Sequence, residues 1–329
     1  DMEMVRILVE AGARTSPVCK LDLYSEFDIL AAAAGTGDVG ILDYLLESGA
    51  EFHTGYGNRL APPVLMAVKS GNPAMVERLL ELGMDIETQG CSYGLLPFDY
   101  PFVETASPLM LAAHRGDTAM VRLLLEKGAD PKKRNLKGRT ALMTATLRPL
   151  KARDAVTHKF KPGPTGDRVG CIRILLEAGL DVNDANDAGK TALYTAVEMD
   201  STAPLEALLA AGASVDKASN EGMTPLMNAA RWGNADAVRL LLAAGADAKS
   251  RDLRGRTVLW HAAFGGNASV VEQLLAAGAD PATPDHLKQT PLMVAADKRN
   301  GAVAAILVAH GTDIDATDTY GRSALHHAA

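Results

Sequence analysis

Residues 224–245 read TPLMNAARWGNADAVRLLLAAG, and this stretch predicts two short helices joined by a turn. Thr224 suits the N-cap of the first helix, and Pro225 suits its first position, where the missing N–H has no helical partner in any case. The second helix has apolar residues at i, i+3 and i+4 counted from Val238, which place them on one face. Gly245 then ends that helix as a left-handed cap. A polar hairpin leads to the next unit.

The same pattern recurs along the chain. Each unit has a Leu or Val early in its first helix, at Leu30, Val64, Leu109, Leu142, Leu193, Leu226, Leu259, Leu292 and Leu325. Of the eight intervals between these residues, five are 33 residues, one is 34, and two are 45 and 51. The long intervals predict two loop insertions, one between units at about residues 88–105 and one inside a unit at about 146–170. Because neither helix buries its apolar face alone, neighbouring units must stack, which predicts one array over residues 1–329.

The motif Thr-Pro-Leu-Met-x-Ala-Ala, followed by Gly-Asn or Gly-Asp and then Val-x-x-Leu-Leu-x-x-Gly-Ala-Asp, resembles the ankyrin repeat. The resemblance covers nearly the whole chain, as eight complete units and a half-unit at each end. It implies an all-α fold, an ankyrin-repeat solenoid of stacked helix-turn-helix units with hairpin fingers. The family often has His after Thr-Pro-Leu. Here Trp260 takes that place once, His326 keeps the histidine, and packing by Met is expected to replace it elsewhere: Met110, Met143, Met227 and Met293.

Both ends of the chain interrupt the repeat. Residues 1–13 predict a second helix without its first, and residues 323–329 predict a first helix without its second. Because the terminal units of solenoids need a polar outer face, two interpretations stand. The chain is a window from a longer protein, or copies of it associate head to tail through their uncapped ends into a filament or large assembly.

Composition excludes several classes of protein. A net charge of −7 argues against general binding to nucleic acid or to anionic membranes. The three cysteines are far apart, so neither a disulfide framework nor a zinc knuckle is expected. No run of 18 apolar residues is present, so no membrane span is expected, and no signal peptide is visible. We expect a soluble protein whose compartment the sequence leaves open.

The sequence contains no pattern of residues typical of an active site. The nucleophile, phosphate-loop, dinucleotide and zinc-protease motifs are absent. His261 and His327 occupy the same register two units apart, and we expect them to be exposed or partly packed helix residues. We expect the thiols of Cys19, Cys91 and Cys171 to be inert, because no base is identifiable beside them. The sequence thus predicts no catalytic residue, no metal site and no cofactor.

The first insertion is rich in aromatic residues and carries no basic residue. We interpret it as an extended finger that contacts a partner, since aromatic side chains are enriched in interface cores. The alternative is that the aromatic side chains fold back onto neighbouring units as a small satellite core. The residues that would bind the partner are Tyr93, Phe98, Tyr100 and Phe102.

The second insertion is basic, with a net charge of +4. Its prolines and glycines exclude regular structure over much of its length, and it lies between the two helices of a unit. It is either a docking arm for an acidic partner or a solvated loop. Its basic residues are Arg148, Lys151, Arg153, Lys159, Lys161 and Arg168.

Two hairpins are also basic. One contributes Lys132, Lys133 and Arg134, and the other contributes Arg251 and Arg254. They indicate a charge-patterned face that sets the register of a partner, or solvated turn charges. An unbroken basic stripe with stacking aromatic residues, which nucleic-acid binding would need, is absent.

The resemblance to ankyrin arrays implies a non-enzymatic scaffold that binds a protein partner through hairpin tips, the concave helix surface and the inserted loops. The alternatives are a structural subunit that stacks head to tail and the recognition region of a longer protein with its active domain elsewhere. The sequence does not identify the partner.

Overall fold

The computed structural model describes residues 2–13, 29–52, 62–90, 106–147, 166–199 and 201–329 in full and the backbone of residues 152–153 and 160–161. Short α-helices alternate with turns and hairpins, which confirms the predicted all-α repeat solenoid. The helices are α1 (Met2–Glu10), α2 (Ile29–Thr36), α3 (Val39–Glu47), α4 (Pro63–Ser70), α5 (Pro73–Glu81), α6 (Pro108–Arg115), α7 (Thr118–Glu126), α8 (Ala141–Ala145), α9 (Arg168–Glu177), α10 (Ala192–Ala196), α11 (Ala203–Ala210), α12 (Pro225–Trp232), α13 (Ala235–Ala243), α14 (Val258–Gly265), α15 (Ala268–Ala276), α16 (Pro291–Asp297), α17 (Gly301–Ala309) and α18 (Ala324–Ala328). Two short strands, β1 (Ala152–Arg153) and β2 (Phe160–Lys161), pair antiparallel.

The chain divides into two compact units. The first comprises Asp1–Ala145 with Pro149–Leu180, and the second comprises Thr146–Arg148 with Asp181–Ala329. In the first unit, α2 packs beside α4 and α7 beside α9. In the second, α12 packs beside α14 and α13 beside α15. First helices therefore form one layer of each unit and second helices form another, and the extension of one array over residues 1–329 stays a prediction.

Side-chain caps begin α12 and α13 as the sequence predicts. The N–H of Met227 donates to Thr224 Oγ1 at 3.3 Å at the start of α12. The N–H of Ala237 donates to Asn234 Oδ1 at 3.1 Å at the start of α13. Gly245 follows α13 with a φ of +90°, which is the left-handed conformation expected of a C-terminal cap. These local bonds set the boundaries of the repeat.

The same caps also join neighbouring repeats. Asn267 caps α15 through Oδ1, and its Nδ2 donates to the carbonyl oxygen of Gly233 in the preceding repeat at 2.7 Å. Asn300 forms the equivalent bond with the carbonyl oxygen of Gly266 at 2.5 Å. One amide side chain thus satisfies a helix start and a partly buried turn at once.

Four repeats have a methionine where the family motif has a histidine that supports the hairpin, and these methionines pack in the core, as predicted. The hairpin fingers are instead held at their tips by carboxylates and amides that accept backbone N–H bonds. Asp252 Oδ1, for example, accepts from the N–H groups of Arg254 and Arg256, both at 2.9 Å. The methionines are buried core residues: Met110, Met143, Met227 and Met293.

The two predicted insertions lie largely outside the described residues. At the first, Gly90 and Ala106 exchange backbone hydrogen bonds of 3.4 and 3.3 Å, which close the base of the loop. At the second, α8 ends at Ala145 and α9 begins at Arg168, and the insertion inside a repeat stays a prediction. The interpretation of Arg168 as part of a solvent-facing basic loop is wrong. Its side chain is buried, because Nη1 reaches back to donate to the carbonyl oxygen of Ala145 at 3.3 Å, at the end of α8.

Candidate partner-binding surface

Neighbouring finger tips in the second unit are joined by backbone hydrogen bonds. The N–H of Leu253 donates to the carbonyl oxygen of Glu221 at 3.1 Å. The N–H of Thr319 donates to the carbonyl oxygen of Leu287 at 3.0 Å, and the finger between them follows the same pattern. The tips therefore form one hydrogen-bonded edge of the second unit, in which the position of one finger restrains the next.

This edge presents large apolar side chains to solvent. Leu253 is 70% exposed, Leu287 is 50% exposed and Tyr320 is 73% exposed. They occupy the tips of three successive fingers. The sequence analysis missed them because it weighed only the charges of the hairpins. A signal was present, since each is an apolar residue inside an otherwise polar segment.

The predicted basic residues of the second unit lie on this edge. Arg251 and Arg254 are both exposed, and they flank the exposed side chain of Leu253 on one finger. The structure thus brings these two predicted residues together and adds an apolar side chain between them.

The predicted basic residues of the first unit lie on a similar finger. Lys132 and Arg134 are exposed, and Lys133 is half-buried. Arg134 Nη1 also donates to the carbonyl oxygen of Gly138 at 2.8 Å, which orients its side chain along the finger. Leu136 stands at the tip with 72% of its surface exposed, in the position that Leu253 takes in the second unit.

The aromatic residues predicted to bind a partner lie outside the described residues, so their role stays a prediction. These are Tyr93, Phe98, Tyr100 and Phe102.

The second unit also contains a cleft that the sequence analysis did not identify. It has a volume of about 290 Å³ and lies along α14, α16 and α18 and the fingers beside them. Trp260 and Phe264, one turn apart on α14, form its aromatic wall, with ring planes 10° apart and centroids separated by 6.0 Å. Met293 adds an apolar side chain from α16, and Asp297 adds a carboxylate.

Cations surround the two aromatic rings. The guanidinium of Arg256 lies 4.9 Å from the centre of the Trp260 ring. Arg231 and Lys298 lie 4.7 and 4.6 Å from the centre of the Phe264 ring. Such contacts draw a cation toward the negative face of the ring, so two like charges are held beside one phenylalanine.

A buried ion network fixes one of these cations. Arg256 Nη2 lies 2.6 Å from Asp252 Oδ2, and His261 Nε2 lies 3.1 Å from the same oxygen. The expectation that His261 is exposed or partly packed is wrong. Its ring is fully buried, because it faces this carboxylate inside the repeat.

The pKa values of this network follow from burial and hydrogen bonding. Burial lowers the pKa of His261 despite the opposing effect of the Asp252 hydrogen bond. Burial alone would raise the pKa of Asp252, but hydrogen bonds from His261 and the backbone, with the Arg256 charge, bring it well below its ordinary range. The carboxylate is therefore ionised and anchors Arg256 beside Trp260.

The last described finger repeats the arrangement. Arg322 Nη2 lies 2.8 Å from Asp318 Oδ2, and His327 Nε2 lies 3.1 Å from the same atom. His327 is partly packed, as predicted. Arg322 and His327 both line the cleft, so its second boundary is built like its first.

Other candidate chemistry is limited in the described ranges. The thiol of Cys171 is buried, and burial raises its pKa to about 12, so it is not a nucleophile at neutral pH. Within those ranges, no three His, Cys, Asp or Glu side chains are grouped so as to hold a metal ion. None of the helices found there could span a bilayer.

Comparisons with known proteins agree with this architecture. The family model described as ankyrin repeats (3 copies) matches residues 64–157, 202–285 and 259–329. No curated protein matches the chain. Among solved structures, the crystal structure of the human ASB11 ankyrin repeat domain is similar, with 27% sequence identity and a TM-score of 0.58. The match covers 68% of this chain and 92% of that one.

Proposed function

Because the chain belongs to the ankyrin-repeat family, whose repeats generally mediate protein–protein interaction, we propose that it is a non-enzymatic scaffold for a protein partner. Binding uses the finger tips, the surface of the first helices and the inserted loops. The tips of the second unit are the part of this surface that the described residues support best.

One observation carries the proposal: each of the two basic fingers exposes a leucine at its tip. Leu136 and Leu253 are 72% and 70% exposed, and each is followed by a basic residue and a glycine. Exposed apolar groups with arginine beside them are the composition of a protein interface core. Nucleic acid would use the basic residues but would gain little from leucine.

The backbone bonds between tips favour tight binding. Leu253 and Thr319 are each tied through their N–H groups to the finger before them. A surface that is ordered before binding loses little conformational entropy when the partner docks, so more of the contact energy appears as affinity. The charges of Arg251 and Arg254 would orient the partner during approach.

Photo-crosslinking followed by titration tests this function. Replacing Leu253 with p-benzoylphenylalanine should crosslink a partner in extracts of the native source, and mass spectrometry identifies it. The same replacement at Val308, which is 47% exposed on α17, is the matched control. The purified partner is then titrated with the unmodified chain and with the variants Leu253→Asp and Val308→Asp.

We expect Leu253→Asp to weaken binding by about tenfold or more, because it places a charge in an apolar contact. Val308→Asp should leave the affinity unchanged. Equal affinities for all three proteins, or crosslinks at position 253 to nucleic acid alone, would contradict the proposal.

Head-to-tail association and a recognition region of a longer protein, the two alternative functions, predict different results in experiments on the same protein. Head-to-tail association predicts crosslinks between copies and a particle mass that grows with concentration in light scattering. A recognition region of a longer protein predicts a native polypeptide heavier than 34.6 kDa that binds the same partner through the same tips. Both measurements need only the native protein and a dilution series.

A further inference from the structure

We propose that the cleft beside Trp260 and Phe264 binds an acidic segment of the protein partner, with its carboxylates held by Lys298 and Arg322 of the cleft and by Arg231 beside the Phe264 ring. This inference rests on the proposed function and adds the chemistry of the partner.

The size of the cleft favours side chains of a docked segment. Its volume of about 290 Å³ is at the lower end of the range for small-molecule pockets. It is bounded by residues of first helices and by Gln289 and Arg322 of the neighbouring fingers, so it lies beside the finger surface that the proposed function uses. Phe264, which is partly exposed, provides an apolar contact for the stem of a glutamate or for a neighbouring aliphatic residue.

The charges that face a ligand here are mainly positive. Arg231 has no acidic partner within the described ranges, and Lys298 pairs with Asp297 at 3.1 Å. Arg256 and Arg322 pair with Asp252 and Asp318, whose carboxylates are fully buried beneath them. Lys298 and Arg322 line the cleft together with one exposed carboxylate, that of Asp297, while Arg231 and Arg256 lie over the rings of its aromatic wall. A carboxylate bound beside the Phe264 ring would lower the repulsion between Arg231 and Lys298, which lie 4.7 and 4.6 Å from the centre of that ring.

The aromatic rings do not offer the surface that a nucleobase needs. Trp260 is only 8% exposed, and it stacks on Phe264. Cations already lie over both rings. Stacking of bases requires free aromatic faces, and a net charge of −7 on the chain opposes a long polyanion. These observations favour a short acidic peptide segment over nucleic acid.

The two tryptophans provide the test. Trp232 and Trp260 are the only ones in the chain, so fluorotryptophan labelling gives two ¹⁹F resonances, one in the cleft and one outside it. The full chain is titrated with a blocked peptide of glutamates around a leucine, with the same peptide carrying glutamines instead, and with an oligothymidylate. We expect the glutamate peptide to shift the Trp260 resonance saturably and to leave that of Trp232 in place.

Charge-neutralising variants locate the binding. Arg231→Gln and Lys298→Gln should each weaken the glutamate peptide about two- to fivefold, the range of a partly exposed ion pair. Arg231→Lys should restore most of the affinity. Arg239→Gln is the matched control, since Arg239 is an exposed cation on α13 of the same unit and pairs with Asp236.

Several results would overturn the inference. These are a Trp260 shift of equal size with the glutamine peptide, a stronger shift with oligothymidylate, no shift at all, and an equal loss in Arg239→Gln. Failure here is distinguishable from failure of the proposed function. If the crosslinked partner is weakened by Leu253→Asp but binds Arg231→Gln normally, the scaffold function stands and the acidic segment does not.

Discussion

The imidazole of His261 lies 3.1 Å from the carboxylate of Asp252, and both side chains are completely buried. Asp252 belongs to a finger, and His261 belongs to the helix that follows it. The pair therefore fastens a finger to its repeat, and the same carboxylate holds Arg256 at the edge of the cleft.

We expect His261→Ala to lower the free energy of unfolding by about 2–4 kcal/mol, because it opens a cavity and removes a hydrogen bond from a buried carboxylate. Guanidinium unfolding followed by circular dichroism measures it. His310→Ala, at an exposed position after α17, is the control and should change stability by less than about 0.5 kcal/mol. Equal effects of the two substitutions would show that the buried pair contributes nothing.

The elements themselves could be predicted from the sequence because their causes are local. Thr224 caps α12, and Gly245 follows α13 in the left-handed conformation, as the 22 residues of that stretch indicate. Periodicity then identifies the repeats, because the residues that form these local bonds recur at intervals of 33 residues. Neither inference required knowledge of distant contacts.

The candidate cleft could not be predicted in the same way, because it depends on contacts between repeats. The motif identifies Trp260 as a departure, but it does not connect Trp260 with Phe264, which lies one turn later on the same helix. Arg231 precedes Phe264 by 33 residues, one period, so an alignment of the repeats would have placed them side by side. The burial of His261 and Arg168 follows from partners in other elements, which spacing alone does not reveal.

The first unit should lose stability in mild acid through His114. Burial, and next the charge of Arg168, lowers the pKa of His114 to about 4. The folded state therefore holds a neutral imidazole, while the unfolded state takes up a proton below about pH 6.5. The contribution of neutral His114 to the free energy of unfolding is fully present above that pH. The free energy of unfolding then falls by up to about 3 kcal/mol as the pH drops toward 4.

His114→Gln provides the comparison, because an amide can still bond the carbonyl oxygen of Thr144, which lies 3.2 Å from His114 Nδ1. Unfolding midpoints measured between pH 7 and pH 4 should fall less steeply for the variant. Identical slopes for the two proteins would assign the acid sensitivity to other groups.

Substituting Gly222 tests the backbone hydrogen bond between neighbouring finger tips that Leu253 donates to Glu221. Gly222 has a φ of +76°, and a Cβ there would lie 2.8 Å from the backbone nitrogen of Leu253. Gly212 has a φ of +82° and open space around it. We expect Gly212→Ala to cost about 1 kcal/mol, the strain of a left-handed alanine. Gly222→Ala should cost more and should accelerate hydrogen exchange at the amide of Leu253. Similar exchange in both variants would mean that the tips are not tied as the structure indicates.

Substitutions of Asn267 can distinguish the stability contributed by a helix cap from that contributed by a hydrogen bond between repeats. Asn267 Oδ1 accepts the N–H of Ser269 at 3.0 Å, while its Nδ2 donates to the carbonyl oxygen of Gly233 at 2.7 Å. Asn267→Asp keeps the acceptor and suits the positive end of α15, but it sets a carboxylate against that carbonyl oxygen. We therefore expect a loss of about 1–2 kcal/mol in the free energy of unfolding, the lower part of the range for an acceptor left without its donor, because the Gly233 carbonyl is partly buried. Asn267→Ser keeps a capping oxygen without the added charge and should lose less. If Asn267→Asp were as stable as the unmodified chain, the amide would serve only as a cap, and its bond to Gly233 would contribute nothing to joining the repeats.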